Sequence, residues 1–134
     1  MSSAVNHDVE FVKAFVDKRR QDRFIAFVSG HDREKFTREL AHGGAKFIDS
    51  RFKVGLAGRD QNPEAIALAL KAKGAPEQCH VTSENLKIDN QDLALLAALR
   101  DVVGRGMGTI VSCIPGKLAY FEGEEMNDRF ILFR

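Results

Sequence analysis

Three apolar runs crowd the last quarter of the chain, and they restrict the folds open to it. Residues 109–114 read Thr-Ile-Val-Ser-Cys-Ile, 117–122 read Lys-Leu-Ala-Tyr-Phe-Glu, and 129–134 read Arg-Phe-Ile-Leu-Phe-Arg. Pro115-Gly116 divides the first two. A loop containing Gly123, Glu124, Glu125 and Asp128 divides the second pair. Short apolar runs separated by turn residues predict a β-meander. Ile110-Val111 and residues 130–133 are apolar without alternation, as in strands covered on both faces. Helices are therefore expected on both sides of the sheet, or helices on one side and a partner subunit on the other. Pro115 and Gly116 suit the second and third positions of a type II turn. That turn splays hairpin strands, so a bulge or a longer loop is expected here.

The upstream chain supplies the covering helices. Over residues 8–28, Val9, Phe11, Val12, Phe15 and Val16, then Phe24, Ile25, Phe27 and Val28, recur at helical spacing. The polar stretch 17–23 between them allows one long helix or two short ones broken near Arg20. Ser29 and Asp32 stand three apart, like a capping box, before a helix to about His42 that Gly43-Gly44 would end. Phe52, Val54 and Leu56 alternate with polar or small residues, as a half-buried strand does. Asn62-Pro63-Glu64 opens a further helix, and Gly74 and Pro76 close it. A short strand is expected at 79–83. Asp89-Asn-Gln-Asp92 reads as the cap of a helix at 90–103, with Leu93, Leu96, Leu99 and Val103 on one stripe. That helix is long enough for a crossover, which predicts the 79–83 strand parallel to the one at 109–114.

The expected fold class is α/β, of the α+β kind. It combines a mixed, mostly antiparallel sheet ending in a C-terminal three-stranded meander with helices packed on it. One globular domain over 1–134 is expected, with 1–7 as a flexible tail. The 134 residues suffice for one self-sustaining core. A formal charge of +1, from 20 basic and 19 acidic residues, gives no global attraction to nucleic acid or anionic membranes. No apolar run approaches the roughly 20 residues of a membrane span, and no signal peptide is read at the N-terminus. Two separated cysteines, Cys79 and Cys113, fit reduced thiols in a cytoplasm.

Candidate chemistry is sparse. Gly104-Arg-Gly-Met-Gly108 resembles a phosphate loop in composition, but a helix precedes it and a strand follows. A phosphate loop needs the opposite order, so a turn is expected, with Arg105 as a possible anion contact. Cys113 and His80 could meet if their strands were neighbours, giving a thiol and a base. His7, His31, His42 and His80 show no metal-ligand spacing, so no metal and no cofactor is implied. Glu122, Glu124, Glu125 and Asp128 form an acidic group in the second hairpin, either a solvated turn or a recognition loop on a rigid sheet. The basic cluster Lys18-Arg19-Arg20 and Arg23 alternates with acids and lacks stacking aromatics, so nucleic-acid binding is not expected.

The function expected from this pattern is a non-catalytic cytoplasmic binding or regulatory protein acting through a protein partner at the acidic loop. The alternative is a small enzyme or ligand-binding domain with a pocket between the sheet and the 90–103 helix. A homodimer would follow if residues 130–133 lay at a sheet edge.

Overall fold

A computed structural model describes residues 6–30, 32–125 and 128–134. Six strands form one sheet: β1 Lys53–Gly55, β2 Gln78–Ser83, β3 Gln91–Ala94, β4 Thr109–Ile114, β5 Leu118–Glu122 and β6 Arg129–Phe133. Their order is β1-β6-β5-β4-β2-β3, and every neighbouring pair is antiparallel. The meander β4-β5-β6 lies inside the sheet, as its unbroken apolar runs require. Lys117 N–H donates to Ile114 O across the Pro115-Gly116 turn, Gly116 has φ +70°, and the register shifts between Ser112 and Ile114. The type II turn and its bulge are both present.

Helices cover both faces. On one face lie α1 His7–Phe15, α2 Gln21–Ser29 and α3 Arg33–Phe47. Their Phe11, Phe15, Phe24, Phe36 and Leu40 pack on Ile110, Ala119, Phe121, Phe130 and Leu132. On the other face lie α4 Pro63–Ala72 and α5 Leu95–Val102. Their Ile66, Leu70, Leu95, Leu99 and Val102 pack on Val81, Val111, Cys113, Leu118, Tyr120 and Ile131. The period-two geometry of a strand sends alternate residues of each central strand into the two cores. Each fully buried Phe or Leu contributes about 2 kcal/mol.

Four expectations need correction. The strand at 79–83 runs antiparallel to β4. The crossover exists, but it begins at β3: β3 and β4 both oppose β2, so α5 joins two like-directed strands across the one between them. The helix read at 90–103 starts only at Leu95, because Asn90, at φ +59°, turns the chain and sends residues 91–94 into an edge strand. The helix α3 runs through Gly43-Gly44 to Phe47, and Ser29 ends α2 rather than capping α3. His31 lies outside the described residues. Finally, residues 130–133 are no sheet edge, since β6 sits between β1 and β5. The first long helical segment is two helices, separated by a turn at Lys18–Arg20. Of the expected tail, residues 1–5 fall outside the description, whereas Asn6 caps α1 through its side chain, which accepts from the N–H groups of Asp8 and Val9.

Candidate functional site: a polar cleft at the start of α1

The apolar packing between α1 and the sheet gives way to polar groups near β2. Strand alternation turns His80 and Thr82 of β2, and Ser112 of β4, toward the α1 side, and β2 and β4 pair His80 with Ser112. Helix α1 lays His7 and Asp8 over them. Asn6 fixes this placement, because its capping oxygen starts the helix just where His7 and Asp8 must leave it.

Two imidazoles stack there. The His7 and His80 rings lie 4.9 Å apart, tilted by 19°. His7 Nδ1 is 2.7 Å from Ser112 Oγ, and His80 Nδ1 is 2.8 Å from Asp92 Oδ1. Each ring is thus anchored through Nδ1. A carboxylate only accepts, so His80 Nδ1 carries a proton, and Nε2 is an acceptor whenever that ring is neutral. Burial, then the neighbouring His80, hold the His7 pKa below its ordinary 6.5, while Asp92 and Asp8 pull weakly the other way. Ser112 is buried behind His7, which makes it an anchor for the ring rather than an exposed nucleophile.

An ion network closes the cleft toward α3. Arg33 donates to Asp8 Oδ2 at 2.5 Å and to Asp89 Oδ1 at 2.7 Å. Thr82 Oγ1 donates to Asp8 Oδ1 at 2.5 Å, and Ser83 N–H donates to Asp89 at 2.9 Å. Asp8 is almost fully buried, so removing Arg33 would strand a carboxylate, at a cost of about 3 kcal/mol. The cleft bordered by His7, Asp8, Arg33, His80 and Asp92 measures ≈ 690 Å³, within the size range of small-ligand sites, with Val28 and Pro115 as its apolar wall.

The residues singled out from sequence are scattered. His80 belongs to the cleft. Cys113 does not meet it, since its side chain joins the opposite core with α5. Burial pushes the Cys113 and Cys79 thiols up to about 12, which removes the thiolate that nucleophilic chemistry needs. The space between the sheet and α5 is filled by Val81, Val111, Leu95, Ala98 and Leu99, all essentially fully buried. The pocket expected there is instead on the other face.

Glu122 is not a loop residue. It ends β5, is 0% exposed, and accepts from Gly104 N–H at 3.1 Å, Gly106 N–H at 2.8 Å and Tyr120 Oη at 2.8 Å. Arg129 Nε lies 3.6 Å away. This internal carboxylate occupies the amides that a phosphate would have used, so the glycine-rich loop is a structural turn. Burial and the adjoining Glu122 carboxylate raise the Tyr120 pKa, keeping its hydroxyl a donor. Arg105 stands exposed in that turn. Glu124 and Glu125 are exposed, and Glu124 is tied to α3 through its N–H to Ala41 O at 3.1 Å and through His42 Nδ1 at 2.6 Å. Asp128 is half-buried and closes the loop by backbone bonds to Gly123 and Glu125, while Met126 and Asn127 lie outside the described residues.

His7, Asp8, Arg33, Ser112 and Asp92 escaped the sequence reading. Asn6, a capping residue followed by His-Asp, is the one signal that extends the first helix back from Asp8 to His7. Among the described residues no group of three or more His, Cys, Asp or Glu side chains could hold a metal ion, and no helix is long and apolar enough to cross a membrane. No protein-family model, curated protein or solved structure matches this chain.

Proposed function

We propose that this chain is a ligand-binding domain whose cleft takes a small amine, or another compact molecule that donates hydrogen bonds. One observation carries the reading: Asp92 fixes the His80 proton on Nδ1, which leaves Nε2 as an acceptor beside the stacked His7 ring. Charge favours the same ligand. Of the charged groups lining the cleft, Asp8 and Asp92 stand against the Arg33 guanidinium, so two carboxylates less one cation leave the lining negative while the imidazoles are neutral. An ammonium group is attracted by that balance, and a carboxylate or phosphate is repelled. If the bound molecule carries an acidic proton, His80 is the group placed to take it, with Asp92 stabilising the imidazolium.

Imidazole NMR tests this directly. Methylammonium and ethanolamine are expected to move the His7 and His80 ring resonances saturably, and acetate and phosphate are not. The variant Asp92→Asn is expected to weaken amine binding about tenfold, the loss of about 1.4 kcal/mol. Shifts produced by the anions alone, or by neither class, would overturn the reading.

A protein partner docking on the exposed Glu124 and Glu125 is the second reading, favoured by the tether that holds Glu124 to α3. Native mass spectrometry of the protein purified from its own cells separates the two. An added small-molecule mass supports the cleft, and an added chain supports the loop.

A further inference from the structure

The opposite end of α1 carries the opposite charge. A groove of ≈ 740 Å³ opens where α1 and α3 end, bordered by the side chains of Lys13, Lys18, Lys46, Arg51 and Arg134 and by two side-chain carboxylates, Asp17 and Asp49. Five cations against two anions is a marked excess in a chain whose formal charge is +1.

Compensation of the helix ends is the ordinary explanation for such lysines, because the last-turn carbonyls are a negative pole. Here other donors already serve them. Asp17 N–H donates to Phe47 O at 2.7 Å and Asp49 N–H to Phe15 O at 2.8 Å, a two-bond ladder that locks the two helix ends together. Gln21 Nε2 donates to Val16 O, Arg134 Nη1 to Ala14 O, and Lys53 Nζ to Ala45 O. The carboxylates are likewise occupied. Asp17 accepts from Arg19, and Asp49 takes both the backbone N–H and the guanidinium of Arg51, which hold its carboxyl at about 2. Among the described residues, Lys13, Lys18 and Lys46 have no ion pair, and all three are exposed. The Arg134 guanidinium joins them, lying 4.8 Å over the Phe52 ring and bonded only to a carbonyl.

We infer that this groove binds a ligand carrying two or more phosphate groups. Three exposed ammonium groups without ion pairs and one planar guanidinium line the same groove, beside the two-bond ladder that joins the ends of α1 and α3. Ammonium groups serve phosphate as point charges and guanidinium binds it in a fork, so the set suits several phosphates close together better than a single carboxylate. The groove's ≈ 740 Å³ lies within the size range of small-ligand sites, room enough for a nucleotide.

The probe is inorganic tripolyphosphate, titrated calorimetrically and by amide NMR at low salt. Saturable binding is expected, with shifts at Lys13, Lys18, Lys46 and Arg51. The double variant Lys13→Glu/Lys46→Glu should bind at least about tenfold more weakly. Lys18→Glu, a single exposed change, provides a second check should the double variant not fold. Lys87→Glu, exposed beyond β2, should leave affinity unchanged. Adenosine triphosphate is compared with tripolyphosphate: tighter binding assigns a nucleotide, and equal binding assigns the phosphate chain alone. Absence of saturation, equal binding of sulfate at matched ionic strength, or full affinity in both charge-reversed variants would overturn the inference.

Discussion

His7 binds its proton less readily in the folded chain than in the unfolded one, because its ring is partly buried and stacked on His80. The unfolded chain therefore takes up the extra proton as pH falls below 6.5, and stability drops across the interval down to the lower folded value. Above that interval the contribution is fully present. Urea unfolding at about pH 7.5 and about pH 5.5 is expected to show a larger loss for the native chain than for His7→Gln, which has no such proton to bind. Equal losses would mean that His7 titrates alike in both states. At this scale little of the cleft was legible in advance. In the sequence His80 is only a histidine in a strand, and its partner Asp92 has the pattern of a helix cap. Glu122 was grouped with its acidic neighbours, although its two oxygens serve the turn that precedes β4. Contacts between residues so far apart in the chain leave no local periodic trace.

At the level of elements, glycine proved the least transparent letter. Gly43-Gly44 looked like a terminator, yet neither residue has positive φ. A Cβ on Gly44 would lie 2.6 Å from the Phe121 ring, so this glycine lets α3 approach the sheet. Gly108 plays the same part in reverse, lying so near that its Cβ would meet the Ala41 backbone at 2.6 Å. Gly44→Ala is expected to destabilise the chain by about 1–3 kcal/mol through overpacking, even though alanine favours helix. Gly43→Ala meets only the far end of the Phe47 side chain, at 3.3 Å, and is expected to be neutral or to stabilise by up to about 1 kcal/mol. Thermal denaturation of the two variants decides whether packing or propensity governs this helix. By contrast, Asn62-Pro63 at the start of α4 and Gly74 at its end behave as their chemistry dictates: Asn62 caps Ala65 N–H and Gly74 has φ +104°. Among these glycines, the one with a backbone cause could be read and those with a packing cause could not.

The three-layer architecture was legible in outline because unbroken apolar strands demand cover on both faces. Strand order was not, since the short β3 hides inside an apparently continuous helical stripe and only Asn90 marks the turn. The charge distribution was also hidden. A balance of 20 basic and 19 acidic residues says nothing about how they segregate, and folding places an acidic cleft and a basic groove at the two ends of α1, about 13 Å of helix apart. In this nearly neutral chain the two ends of α1 carry opposite charge. The groove of one copy carries charge opposite to the cleft of another, and a head-to-tail contact of that kind closes into a ring or runs on into open chains according to its rotation. Light scattering is expected to rise as salt is lowered to about 10 mM and to fall again near 150 mM, where charges more than about 8 Å apart are screened. A particle size independent of salt would show the two poles too weak to find each other. The expected control on this protein's solubility is then the ionic strength around it rather than its isoelectric point.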